Sequence, residues 1–158
     1  MNPWEYTILI VEDEADQVFM LKRAFQKANV RNPIQVFRDG QEVIDHLTKL
    51  GSPSRGVSLE APPALMLLDL KMPRKTGFEV LEWLRHQPRL RSLVVVVLSN
   101  SLQLADVSRA YELGCNSYLM KPANLDHLVE MVRMISSYWV MLNVNPDLHY
   151  IPDPFRPF

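Results

Sequence analysis

The stretch Ala64-Leu65-Met66-Leu67-Leu68-Asp69-Leu70-Lys71-Met72-Pro73 runs five apolar residues straight into a carboxylate. So short a continuous apolar run, set off by Pro62-Pro63 before it and Pro73 after it, predicts a strand covered on both faces. Asp69 then stands at the carboxyl end of that strand. Outward from here the same alternation recurs. Tyr6 to Val11 and Leu93 to Leu98 read as two more buried strands, the first running into Glu12, Asp13 and Glu14 and the second into Ser99. Ile34 to Phe37 and Ser117 to Met120 are shorter, and the latter leads into Lys121 and Pro122. Between the strands, apolar residues recur every three or four positions, the spacing of one helix face. These are Val18, Leu21, Phe25 and Ala28; Val43, Ile44 and Leu47; Val80, Leu81 and Leu84; Leu104, Val107, Ala110 and Tyr111; and a last helix from Asn124 to Trp139. Five strands alternating with five helices predict an α/β fold, a parallel sheet with helices on both faces. A loop rich in Ser, Pro and Gly is expected from Leu50 to Pro63.

The 158 residues are 47% hydrophobic and 22% charged, which suits one domain around one continuous core. A formal net charge of -1, with no dense Lys/Arg cluster, argues against a nucleic-acid partner. Cys115 is the only cysteine, so neither a disulfide nor a cysteine-based metal site can form within one chain. No apolar run approaches the ~18 residues of a membrane span, and the first residues lack a signal-peptide pattern. A cytoplasmic location, with no membrane, is the expectation.

In open parallel sheets, sites form beyond the carboxyl ends of the strands. Glu12, Asp13, Asp69, Ser99 and Lys121 all map to that edge. Three carboxylates brought together repel, at roughly 4 kcal/mol per pair near 4 Å in an effective dielectric of about 20. An oxygen-seeking divalent cation such as Mg2+, or Mn2+, answers that repulsion, since no His or Cys stands nearby. Beside such an ion, a carboxylate can act as a nucleophile toward phosphorus. Asp69 suits this role because it stands alone at its strand end, whereas the adjacent Glu12 and Asp13 suit chelation. Lys121 then offers a positive charge to one phosphoryl oxygen and Ser99 a hydrogen bond to another.

These residues resemble the receiver domain of two-component response regulators. The likeness rests on the strand before Glu12-Asp13, Asp69-Leu70-Lys71-Met72-Pro73 with Gly77 behind it, Ser99 after an aliphatic strand, and Tyr118-Leu119-Met120-Lys121-Pro122. The resemblance implies a flavodoxin-like, doubly wound five-stranded parallel sheet in the order 2-1-3-4-5. It further implies a receiver domain over residues 5–142, a Pro/aromatic tail over 143–158 and no output domain. Phosphorylation of Asp69 by a sensor histidine kinase follows from it, as does the backbone carbonyl of Lys71 as a metal ligand. So does a cis Lys121-Pro122 peptide. Ser99 and Tyr118 become a switch pair, Ser99 moving toward the phosphoryl group and Tyr118 turning into the space it leaves. Lys71 and Ser101 resemble positions that tune hydrolysis in the family. Glu12, Thr76 and Asn100 depart from its commoner residues. The wording from Asp69 to Arg74, Ser99-Asn100-Ser101, Tyr138-Trp139 and the long loop before the third strand is similar to the phytochrome-associated response regulators of cyanobacteria. That likeness implies a phytochrome-type kinase and a homodimer.

Other readings compete. A haloacid-dehalogenase-type phosphatase also uses an Asp nucleophile, but Asp69-Leu70-Lys71 lacks its second Asp. A flavin site is disfavoured because the loop after the first strand is acidic. A phosphorylation-independent adaptor or dimerisation module is the main alternative, and in neither it nor the switch is the chain an enzyme. His46, His86, His127 and His149 show no metal spacing. On the last helix Leu125, Leu128, Val132, Ile135 and Trp139 form one stripe and Met131, Met134, Tyr138 and Met141 a second. The second is expected to be exposed, for a partner or for a homodimer through helix four, strand five and helix five. The tail from Asn143 to Phe158, broken by prolines, is expected to be disordered, or to dock on a neighbour.

Overall fold

A computed structural model describes residues 2–51 and 61–148 of the chain. Its order is β1 (Ile8–Val11), α1 (Ala15–Lys27), β2 (Ile34–Phe37), α2 (Gly40–Gly51), β3 (Leu65–Leu68), α3 (Gly77–Arg85), β4 (Val95–Ser99), α4 (Leu104–Glu112), β5 (Ser117–Met120) and α5 (Leu125–Ile135). The strands form one five-stranded sheet in the order β2-β1-β3-β4-β5, every neighbouring pair parallel. The expected doubly wound, flavodoxin-like topology is therefore present.

The three central strands are buried along their whole length, as their unbroken apolar runs require. Alternate residues feed two separate clusters. Ile8, Ile10, Leu65, Leu67, Val96 and Leu98 pack against Leu21 and Phe25 of α1 and Leu128, Val132 and Ile135 of α5. Leu9, Val11, Met66, Leu68, Val95 and Val97 pack on the other face with Val43 and Leu47 of α2, Val80, Leu81 and Leu84 of α3, and Ala110 of α4. The edge strands β2 and β5 are only half-buried.

Register places the site. Val11 pairs with both Phe37 and Leu68, so the chain leaves β1 and β3 at the same level, at Glu12 and Asp69. Ser99 pairs with Met120, which brings Lys121 level with the end of β4. At Gly77 a Cβ would sit 2.2 Å from the Asp69 carbonyl oxygen, so only glycine lets α3 start this close to the strand end. Thr76 caps that helix and exchanges hydrogen bonds with Glu79.

Three expectations change. The last helix is α-helical only to Ile135 and widens into a π-helical segment, Ser136–Leu142. Met131, on α5 before this segment, is buried in the α1/α5 cluster. The wider turn shifts the side-chain phase after it and the Pro3–Glu5 turn packs against the segment, so Met141 is buried while Met134 and Tyr138 stay 66% and 56% exposed. The expected exposed stripe is thus half covered by the chain itself. The tail is not free at its start: Asn145 Nδ2 donates to the Ser92 carbonyl at 2.8 Å, and Leu148 is buried in the α1/α5 cluster. The expectation for the rest of the tail, with His149, lies outside the described residues, as does that for the loop over 52–60. Finally, α2 continues past Lys49 to Gly51. No described helix is long and apolar enough to cross a membrane.

Candidate functional site

Glu12, Asp13 and Asp69 converge at the carboxyl edge of β1 and β3, where one carboxylate oxygen from each lies within 4.8 Å of the others. Glu12 and Asp69 are buried and Asp13 is exposed. The backbone fixes them closely. Asp69 N–H donates to the Val11 carbonyl at 3.0 Å, and its own Oδ1 accepts from Leu70 N–H at 2.8 Å. Glu12 Oε1 accepts from Glu14 N–H at 3.1 Å. From the end of β5, Lys121 reaches across with Nζ 2.7 Å from Glu12 Oε2 and 3.5 Å from Asp69 Oδ2.

The charge balance is unfavourable to the carboxylates. Burial raises the Glu12 and Asp69 carboxyls above their ordinary values, and the Lys121 ammonium only partly offsets it. One ammonium, paired with Glu12 and Asp69, stands against a cluster of three carboxylates. Oxygen-only donors with a surplus of negative charge fit a hard divalent cation, so Glu12, Asp13 and Asp69 are the residues that would hold one. Lys71 enters the pocket by its backbone, its N–H supporting the Asp69 carboxylate. The loop that carries it is braced from outside: Arg74, at φ 62°, places Nη1 3.2 Å from Asp39 Oδ2, and Gly40 N–H donates to the Lys75 carbonyl at 3.1 Å.

Ser99 is buried at the end of β4, and its Oγ accepts from Ser101 N–H at 3.0 Å. Tyr118 is half-buried and donates its hydroxyl to the Ser101 carbonyl at 2.8 Å. The two switch candidates are therefore joined through Ser101, which also donates its own hydroxyl to Asp106 Oδ2 at 2.6 Å. Sequence reasoning found Ser101 only through resemblance and missed Asp106, Asp39, Arg74 and Gln17. The one signal for Gln17 was its place three residues after Glu14 on a helix start, a spacing that lets the two side chains meet.

The cis expectation for Lys121-Pro122 is corrected, since no described peptide bond is cis. Trans is the form an X-Pro amide favours by about 0.5–1 kcal/mol. The β-ladder already aims Lys121 at the pocket, its N–H donating to the Ser99 carbonyl at 2.9 Å. The described histidines stay apart from the site: the His86 and His127 rings contact Glu82 and Asn124 on their own helices, and His46 lies against Phe37.

Comparison with known proteins agrees with this geometry. The response regulator receiver domain model matches residues 8–133. The chain is 36% identical over 141 residues to the probable methanogenesis regulatory protein FilR2 of Methanothrix harundinacea, covering 89% of this chain and 88% of that one. It is 35% identical over 133 residues to the response regulator Rcp1 of Synechocystis, covering 84% and 88%. The Mn2+-bound structure of Rcp1 superposes with a TM-score of 0.75, at 33% identity over 89% of this chain and 99% of that one. The phosphorylated cyanobacterial phytochrome response regulator RcpA superposes with a TM-score of 0.78, at 32% identity over 90% and 99%. With the family model matched over residues 8–133 and a five-stranded parallel sheet in the order 2-1-3-4-5, this chain belongs to the response regulator receiver-domain family.

Proposed function

We propose that the chain is a phosphorylation switch in which Asp69 accepts a phosphoryl group from a sensor histidine kinase. What carries this reading is the Asp69 carboxylate itself: buried, held by Leu70 N–H, and facing Lys121 Nζ at 3.5 Å. In the transfer, an Asp69 carboxylate oxygen forms a bond to phosphorus as the bond to the donor histidine nitrogen breaks, and the electron pair leaves with the imidazole. Lys121 offsets charge on the phosphoryl oxygens, and the Ser99 hydroxyl turns to donate to one of them. A bound Mg2+ or Mn2+ at Glu12, Asp13, Asp69 and the Lys71 carbonyl would supply charge neutralisation at the phosphoryl group. Because Ser99 and Tyr118 share Ser101, rotation of Ser99 frees the loop that Tyr118 holds. The cis Lys121-Pro122 peptide has no place in this scheme.

The kinase is of the phytochrome type, a step supported by the name of the phytochrome response regulator RcpA, whereas the name of FilR2 places a similar chain in the regulation of methanogenesis. Output is by protein contact in the cytoplasm, through a homodimer face of α4, β5 and α5 on which Leu104, Tyr111, Met120 and Met134 stand exposed. The chain turns over only itself and is no enzyme. Incubation with acetyl phosphate and Mg2+, read by intact mass and sedimentation, is expected to add one acid-labile phosphoryl group and to shift the chain toward dimer. Asp69→Asn is expected to take up none. An unmodified wild-type chain would leave the alternative, a phosphorylation-independent adaptor that binds through the same exposed face.

A further inference from the structure

Gln17, on the first turn of α1, belongs to neither the carboxylate cluster nor the switch pair. Its side-chain Oε1 nevertheless accepts a hydrogen bond from Lys121 Nζ at 2.5 Å, while its Nε2 donates to Glu14 Oε2 at 2.9 Å. The second bond decides which end of the amide faces the ammonium. An ammonium has three N–H donors, and three oxygens surround this one: Gln17 Oε1, Glu12 Oε2 at 2.7 Å and Asp69 Oδ2 at 3.5 Å. Gln17 alone among them is uncharged, so it anchors Lys121 without adding to the surplus of negative charge.

That anchor matters because a lysine is a point charge on a flexible four-carbon stem, and order in its head group has to come from its partners. Gln17 and Lys121 share the wall of a cleft of about 220 Å³ with Asn100, Pro122 and Asn124. A side chain at position 17 without an acceptor would hand one N–H of the ammonium to solvent in that cleft. Resting on the phosphoacceptor reading of Asp69, we propose that Gln17 is a positioning residue for phosphoryl transfer, holding the Lys121 ammonium at the distance from Asp69 where it meets the incoming phosphoryl oxygens. The bond to Gln17 competes with neither carboxylate, so it persists when the phosphoryl group takes the N–H that faces Asp69.

The test uses the full chain with Lys side chains labelled with 15N, the Lys121 ammonium signal being assigned by its loss in Lys121→Arg. In the metal-free wild type that signal is expected to be protected from hydrogen exchange. Gln17→Leu, similar in size but without an acceptor, is expected to speed the exchange roughly tenfold and to slow phosphorylation by acetyl phosphate at saturating Mg2+ by roughly tenfold, in line with the loss of one charge-assisted hydrogen bond. Gln17→Glu, which keeps an acceptor, is expected to retain the protection. Unchanged exchange in Gln17→Leu, or slowed phosphorylation with an unchanged ammonium signal, would overturn the role of Gln17 alone. A wild-type chain with a protected ammonium that takes up no phosphoryl group would overturn the Asp69 reading, and the transfer role with it. A thermal unfolding curve for each variant separates these outcomes from misfolding.

Discussion

The ends of β1 and β3 and the ends of β4 and β5 lie side by side on one sheet edge yet are built differently. At β1 and β3, charged groups are buried between fully covered strands and held by backbone N–H groups. At β4 and β5, neutral groups are linked in series, from Ser99 at the end of covered β4 through Ser101 in the loop that follows to Tyr118 on the half-buried edge strand β5. The first region concentrates electrostatic energy in a rigid place. The second stores little, because neutral hydrogen bonds near solvent exchange for bonds to water at small net cost. Chemistry sits where the backbone is fixed, and movement where it is cheap.

The sharpest way to break this contrast is at Lys121, which follows β5 and places its charge between the acids at the ends of β1 and β3. Lys121→Met is expected to destabilise the metal-free fold by about 3 kcal/mol at neutral pH, since it leaves Glu12 and Asp69 buried without a counter-charge. Urea unfolding measures it, and a loss no larger than that of a surface lysine would show the pocket to be well solvated.

A smaller effect of opposite sign is expected at Asp69. Because burial raises its carboxyl in the folded state, the folded chain binds the proton more tightly than the unfolded one. Stability therefore falls as pH rises from the ordinary Asp value through the raised one, and the penalty is complete above the latter. Asp69→Asn removes it, and is expected to gain about 1 kcal/mol at neutral pH without metal, the gain shrinking as pH falls toward the ordinary Asp value. Thermal midpoints across pH, with and without Mg2+, would read this. A gain that persists in acid would point to packing rather than charge.

The least effect is expected in the relay. Tyr118→Phe loses one hydrogen bond to the Ser101 carbonyl and should cost only about 0.5 kcal/mol. Its phosphorylation rate should stay near wild type while the response at α4 and β5, read by amide chemical shifts before and after phosphorylation, weakens.

Much of the site was legible because a strand's apolar run ends abruptly. Leu65 to Leu68 stop at Asp69 and Ile8 to Val11 stop at Glu12, and in these fully covered strands no solvent-facing alternation blurs the boundary. Less legible were contacts set by rotamer and by distant packing. Gln17 looks like an ordinary polar helix residue until β5 delivers Lys121 from 104 positions away. The Ser101-Asp106 bond depends on how α4 docks.

By itself the sequence determined the alternation of strands and helices, the parallel sheet and the identity of the acids at its edge, because these follow from local periodicity and from where apolar runs end. Only the tertiary structure decided which part of the second stripe of the last helix stays exposed. The π-helical turn at Ser136–Leu142 and the contact with Pro3–Glu5 cover Met141, and no local pattern encodes a change of helical pitch imposed by a distant segment.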